Sequence, residues 1–236
     1  NEALEVRSLF KINSTTNTYL SLSKTFRNPN IDELALFESE LKPQTANRYE
    51  VGFKFGYDKL SFDIGYFHFI TQNEILFRII DNRGINHNAL KPITRTGVEI
   101  QSHLFLTDNL SINLDLGYTD AEDDDGHRIP LVPFWNASAS FSWKIKSNSN
   151  LNINALYSGQ RLDGNYNDVD INFIMDSYTV INLTYRNKIQ ISSRKKLDWH
   201  LSVNNLFNDL YFETAYSGIV YPAPLRVIRG GISLAF

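Results

Sequence analysis

Arg226-Val-Ile-Arg-Gly-Gly-Ile-Ser-Leu-Ala-Phe236 closes the chain as one unbroken alternation, with Ile228, Gly230, Ile232, Leu234 and the terminal Phe236 on a single face. Side chains of a strand point to opposite faces in turn, so this period of two predicts a β-strand apolar on one side. The ends of water-soluble domains fray. A strand patterned to its last residue and stopping on an aromatic is not how such a domain finishes.

The same unit recurs upstream. Tyr49, Val51, Phe53, Phe55 and Tyr57 share one face and Arg48, Glu50, Gly52, Lys54 and Gly56 the other. Thr96, Val98, Ile100, Leu104 and Leu106 oppose Arg95, Glu99, Gln101 and His103, while Ile112, Leu114, Leu116 and Tyr118 oppose Ser111, Asn113, Asp115 and Thr119. Trp135, Ala137, Ala139, Phe141 and Trp143 oppose Asn136, Ser138, Ser140 and Ser142. Further runs fit 4 to 12, 18 to 26, 60 to 72, 151 to 161, 177 to 187 and 197 to 207, so the pattern predicts about eleven strands and no helix. The fold class is all-β.

Strand length and loop asymmetry select the architecture. Strands of globular proteins peak at about 5 to 6 residues, whereas a tilted membrane-crossing strand needs about 9 to 11, the length seen here. Connections alternate between short and long. The short ones are 13 to 17, 58 to 59, 107 to 109, 146 to 150 and 188 to 196, and the long ones 27 to 46, 73 to 92, 120 to 133, 162 to 176 and 208 to 225. Short turns at one end and long loops at the other are the arrangement of antiparallel transmembrane β-barrels, with long loops outside the cell and the C-terminus in the periplasm. A soluble β-sandwich also alternates, but it needs neither the one-sided loops nor two rows of aromatics. Tyr49, Tyr118, Trp135 and Tyr157 end apolar faces on the loop side, and Tyr57, Trp143, Tyr185, Trp199 and Phe236 on the turn side. Those rows match interfacial girdles.

Composition excludes more than it selects. The 236 residues are 42% hydrophobic and 13% aromatic with a net charge of −3, which excludes disorder and leaves no basic footprint for nucleic acid. Mean hydropathy is −0.28, yet a barrel strand averages polar because half its residues face the lumen. There is no cysteine, which removes disulfides, thiolate metal ligands and thiol catalysis. Asp120-Ala-Glu-Asp-Asp-Asp-Gly126 could offer oxygens to Ca²⁺, but it lacks the EF-hand ligand spacing and reads as a solvated acidic loop. His68, His87, His103, His127 and His200 show no close ligand pairing, so no metal site is expected. Asp63, Glu99, Asp115 and Asp198 fall on inward faces, where structural pairing with the residues of a plug filling the lumen is expected rather than catalysis. No phosphate loop, nucleophile elbow or triad signature is present, so neither an enzyme nor a cofactor is expected.

Four segments carry a family resemblance. Ser23-Lys-Thr-Phe-Arg-Asn-Pro-Asn-Ile-Asp-Glu-Leu34 and Leu41-Lys-Pro-Gln-Thr-Ala-Asn-Arg-Tyr-Glu-Val-Gly-Phe53 resemble the strand-to-loop and returning segments of TonB-dependent outer-membrane receptors, with Gln44 standing where that family usually has Glu. Thr94-Arg-Thr-Gly-Val-Glu-Ile100 is similar to an internal strand of the same family, and Val203-Asn-Asn-Leu-Phe-Asn-Asp-Leu-Tyr211 to the segment before the last loop and strand. The closing strand resembles the one that the barrel assembly machinery reads in outer-membrane proteins.

The resemblance implies closed barrels of about 22 strands around a globular plug, preceded by a segment that engages the TonB energy-transducing complex of the inner membrane. Residues 1–236 then represent the C-terminal portion of such a barrel, half its wall, with the plug and partner-binding segment lying elsewhere. A half-wall leaves two open edges that lipid cannot satisfy. The implied setting is the bacterial outer membrane, and the implied function is active uptake of a ferric siderophore or similar metal chelate. Haem is disfavoured because no His lies between Phe26 and Pro43. Cobalamin, an oligosaccharide, a passive porin and a barrel enzyme stay open. Within the long connections, Arg128, Arg161, Tyr211, Tyr216 and Tyr221 are the expected ligand-binding residues, since guanidinium and aromatic groups suit an anionic, aromatic chelate.

Overall fold

A computed structural model describes residues 2–35, 40–80, 83–164, 173–216 and 218–235. Its strands are β1 (Leu4–Lys11), β2 (Thr16–Arg27), β3 (Gln44–Tyr57), β4 (Leu60–Gln72), β5 (Ile75–Ile80), β6 (Arg83–Asn88), β7 (Ile93–Thr107), β8 (Leu110–Asp123) and β9 (Trp135–Lys146). They continue with β10 (Ser149–Ser158), β11 (Arg161–Leu162), β12 (Ile174–Met175), β13 (Tyr178–Gln190), β14 (Lys196–Asn204), β15 (Phe212–Tyr216), β16 (Ile219–Pro222) and β17 (Val227–Ala235). Apart from a single 3₁₀ turn, Glu33–Ala35, the described residues hold no helix, and none long and apolar enough to cross a membrane.

Eleven of these strands form one antiparallel meander in the order β1-β2-β3-β4-β7-β8-β9-β10-β13-β14-β17. The sheet does not close: β1 and β17 are its two edges. Every long connection lies at the end opposite the close of β17. Three of those connections, expected as plain loops, contain hairpins of their own: β5–β6, β11–β12 and β15–β16. The sequence signal there is weak because these strands are short and carry no sustained alternation. Two smaller differences appear at strand ends. The run expected over 151 to 161 ends at Ser158, and Leu106 falls at a register shift between Phe105 and Thr107 rather than on the outer face with Leu104.

Register assigns the faces. Across β3, β4, β7 and β8, Val51 pairs with Tyr66, Tyr66 with Val98 and Val98 with Tyr118, so one face is continuously apolar. Gly52, Gly65, Glu99 and Gly117 occupy the other. The apolar face is open: Leu20, Val51, Leu114, Leu201 and Ile232 are all exposed. A soluble sheet would bury them against a second layer, whereas the wall of a membrane barrel turns such a face to lipid. The aromatic rows fall where the alternation put them, with Tyr118 against Trp135 (4.9 Å between centroids) on the loop side and Tyr185 against Trp199 (5.3 Å) on the turn side. Phe236, counted in the turn-side row, lies outside the described residues.

Where the wall needs to be thin on its inner side, glycine supplies room for an aromatic ring. Tyr19 lies across Gly52 and Gly65, which pair directly, and its hydroxyl donates to Glu50 Oε1 at 2.9 Å. Two of the four inward carboxylates have partners within the wall: Asp63 pairs with Lys54, and Asp115 accepts from Ser138 Oγ at 2.7 Å.

Candidate ligand-binding site

At the loop end, chain segments that leave the wall are tied to one another by side chains that reach backbone atoms. Asn88 is one such tie: its Oδ1 accepts from the Lys42 amide (2.7 Å) and its Nδ2 donates to the carbonyls of Lys42 (2.9 Å) and Asn73 (2.7 Å). Arg27 meets both carboxylate oxygens of Glu33 at 2.8 and 2.9 Å, which closes the turn after β2 and holds the Glu33 carboxyl below its ordinary range. Arg95 grips Glu74 the same way at 2.8 and 2.6 Å. Between these two clamps lies an open depression of about 270 Å³ lined by Thr25, Arg27, Gln44, Phe69, Glu74 and Arg95. Ile93, Ala121 and Ile129 are buried beside it, with Leu76, Ala89 and Val132 packed around them.

The sequence Val203-Asn-Asn-Leu-Phe-Asn-Asp folds the start of the last loop by side-chain to backbone bonding, the chemistry for which Asn suits turns. Asn205 and Asn208 both adopt positive φ (53° and 62°), which Asn tolerates. Asn205 is buried; it accepts from the Asp209 amide (3.0 Å) and donates to the Asp209 carbonyl (2.8 Å), while Asn208 Oδ1 accepts from the Arg226 amide (2.9 Å). These bonds return the chain toward β17 and set the position of the β15–β16 hairpin.

Of the five residues expected to bind ligand, two meet on one ring, that of Tyr178. Arg161 is 3% exposed, and its guanidinium donates to the carbonyls of Phe212 (2.6 Å), Glu213 (2.9 Å) and Gly159 (3.4 Å) and lies 5.3 Å from the Tyr178 ring. Burial lowers its pKa from the ordinary arginine value. Tyr211 packs against the same Tyr178 ring, 4.7 Å between centroids, and burial raises its hydroxyl pKa, with Glu213 adding to the effect. Tyr216 contacts Phe77 edge-on at 5.7 Å, and its pKa is likewise raised, by burial and then by Asp163. Tyr221, on β16, is 54% exposed. Arg128 stands apart: it lies 3.8 Å over Phe134, whose ring stacks on Tyr118 of the loop-side girdle, so its contacts belong to the aromatic belt. Tyr178, Asp163 and Asn205 were not singled out from sequence, although Asn205 sits in a quoted segment.

Arg161 is therefore a clamp. Hydrogen bonds from a charged group contribute about 1.5 to 3 kcal/mol each, and lysine cannot reproduce the planar fork. Arg161→Lys is expected to speed amide exchange across β15 and β16 while leaving the wall strands protected, measured by hydrogen exchange on the full-length receptor. Equal protection of that hairpin in both proteins would remove the clamp.

Donor atoms of Asp123, Asp125 and His127 lie within 4.8 Å of one another. Asp123 Oδ1 accepts from the amides of Asp125 and His127 (2.9 Å each), Asp125 pairs with Lys91, and His127 Nδ1 lies 3.4 Å from Asp123 Oδ2.

Residues 7–206 match the family described as TonB dependent receptor-like, beta-barrel. The chain belongs to the TonB-dependent receptors. No curated protein matches the receptor's sequence. Among solved structures it is similar to the ferric-catecholate import receptor Fiu from E. coli K12, at 19% identity and a TM-score of 0.73, over 98% of this chain and 34% of that one. It is similar to the copper transporter OprC at 18% identity and a TM-score of 0.78, over 98% and 39%. The ferripyoverdine receptor of the outer membrane of Pseudomonas aeruginosa gives 18% and 0.74, over 98% and 32%. At these identities the likeness concerns the fold. The receptor chain described here spans about a third of the length of each.

Proposed function

We propose that these residues form part of the wall and outer loops of a bacterial outer-membrane receptor that captures a ferric siderophore and passes it inward with energy from the TonB complex, without enzymatic chemistry. The observation that carries this reading is the loop end of the wall. There Arg161 and Tyr211 meet on the Tyr178 ring and brace β15, whose partner strand β16 carries the exposed Tyr221. Loops positioned by a rigid scaffold are where specificity is carried. Solved receptors of similar fold are named for ferric-catecholate import and for bound ferripyoverdine.

In this reading Tyr221, Tyr211 and Tyr216 supply aromatic surface for the chelate, Arg161 sets their position, and Arg128 anchors the loop to the girdle beside it. The test is titration of the full-length receptor with ferric catecholate and ferric pyoverdine chelates, following intrinsic fluorescence. Tyr221→Ala and Arg161→Lys are expected to weaken binding, Tyr221→Ala without loosening β15. Unchanged affinity after alanine replacement of Arg128, Arg161, Tyr211, Tyr216 and Tyr221 in turn would retire the assignment.

A further inference from the structure

Thr71 is 3% exposed, and its hydroxyl has no hydrogen-bond partner among the described residues. It lines the open depression between the Arg27–Glu33 and Arg95–Glu74 clamps. A hydroxyl withdrawn from water without a partner forfeits the bond it made in the unfolded chain, so it leaves a bonding position open to whatever fills that space. Register explains why the wall does not fill it. Thr25, Ala46, Thr71 and Ile93 form one cross-strand row on the inner face of β2, β3, β4 and β7. The neighbours of Thr71 in that row are the apolar Ala46 and Ile93, and Phe69, on the same face of β4, offers no polar atom either.

The rest of the lining is rich in donors. Gln44 Oε1 accepts from Arg27 Nε (3.0 Å) and Nη2, so Nε2 is the end left over, and it makes no hydrogen bond among the described residues. Arg95 gives two of its five guanidinium N–H groups to Glu74 and has three left. Thr25 adds an exposed hydroxyl. Acceptors are scarcer, chiefly the Glu74 carboxylate.

We infer that this depression is a subsite for an uncharged, amide-bearing arm of the ligand, and that Gln44 selects it. Each guanidinium already faces a carboxylate, so an anionic arm would have to compete with Glu33 or Glu74. An ammonium would bring further donors to a lining that has a surplus of them. An amide carbonyl accepts at two lone pairs, and its N–H has Glu74 to donate to. The half-buried Phe69 ring gives the planar group a flat face. Glu at position 44, usual in the family segment that this stretch resembles, would put acceptors where Gln puts donors and would draw Arg27 into a second ion pair. The inference deepens the receptor reading and rests on it for the ligand to which the arm belongs.

The experiment is ligand-observed saturation-transfer NMR on the full-length receptor in detergent, titrated with N-acetylglycine N-methylamide. This probe is uncharged and holds two amides, with no iron and no aromatic ring. Saturation transfer to it is expected, with weaker binding of N-acetylglycine, its anionic counterpart. Thr71→Val keeps the shape and removes the hydroxyl, and it is expected to weaken the probe about 2- to 10-fold, the range of one hydrogen bond. Thr71→Ser is expected to keep the wild-type affinity, and Gln44→Glu to weaken the probe at least as much as Thr71→Val. No transfer in the wild type, equal affinity for N-acetylglycine, or indifference to both Thr71→Val and Gln44→Glu would each overturn the subsite. Tighter binding of methyl glucoside than of the amide would overturn the chemical class and give the depression to hydroxyl-bearing ligands. Ferric catecholate is titrated separately by fluorescence. A receptor that binds the amide probe and no ferric chelate retires the siderophore reading and upholds the subsite; the converse retires the subsite alone.

Discussion

Leu114→Arg is expected to destabilise the receptor in a bilayer by about 2 to 4 kcal/mol, the cost of a guanidinium near the midplane of a lipid-facing barrel surface. Leu114 sits in the middle of β8 between Ser102 of β7 and Ala139 of β9, and is 51% exposed. Its neighbour Asn113 has the same depth and strand environment but points inward, paired in register with His103 and Ser140. Asn113→Arg forfeits a hydrogen bond to His103 and otherwise enters a polar interior, so it is expected to cost much less. Leu114→Arg would also be harmful if Leu114 were packed in a protein core, so a second comparison is needed. Fluid lipid accepts Leu114→Phe, Leu114→Ile and Leu114→Met with little loss, whereas a close-packed core penalises overpacking by about 1 to 3 kcal/mol. Denaturant midpoints after refolding into vesicles give all five values. A large penalty for Leu114→Phe beside tolerance of Asn113→Arg would mean that protein, not lipid, covers this face.

The contrast between Leu114 and Asn113 was legible from sequence because it depends only on a period of two, and eleven strands repeat it. Register is seen only in the structure, where short turns such as Asp58-Lys59 leave the strands little freedom to slip. The loop end was legible in residue type but not in arrangement. Arg161 and Tyr211 are 50 positions apart in the chain, and they meet on Tyr178 because β15 is drawn over β11 by carbonyls that have no sequence signature. Loop arginines look alike in sequence, so nothing there sets the surroundings of Arg128 apart from those of Arg161. The seat of Arg128 on Phe134 depends on how Phe134 stacks onto Tyr118, a tertiary contact. Local patterning thus fixes which way a wall residue points, while loop contacts between distant segments have to be seen.

Gly97→Ala is expected to destabilise the wall by the full overpacking range, about 1 to 3 kcal/mol, and Gly97→Val by more. Gly97 belongs to β7 and faces inward between Phe67 of β4 and Thr119 of β8. A Cβ there would fall far inside contact distance of the Tyr118 carbonyl oxygen and within 2.6 and 2.8 Å of the Phe67 ring. The ring can rotate away, but it is held under the Arg48 guanidinium at 5.3 Å, and the Tyr118 carbonyl cannot move without disturbing the β7–β8 ladder. Gly117 is the control: it lies on the same inner face of the adjacent strand, opposite Glu99, and a Cβ there meets only the Asn136 carbonyl oxygen at 4.0 Å. Replacing a glycine that has room stabilises by about 0.4 to 1 kcal/mol through the unfolded chain, so the two substitutions are expected to differ in sign. Phe67→Ala separates the two contacts of Gly97. If the ring were the whole obstacle, adding Phe67→Ala to Gly97→Ala would remove the penalty; with the Tyr118 carbonyl still in place, only part of it should be recovered. Urea midpoints of the full-length receptor for both single variants and the double decide this. Equal stability of Gly97→Ala and Gly117→Ala would show that the glycine of Arg95-Thr-Gly-Val-Glu99 does not serve the close approach of β7 and β8.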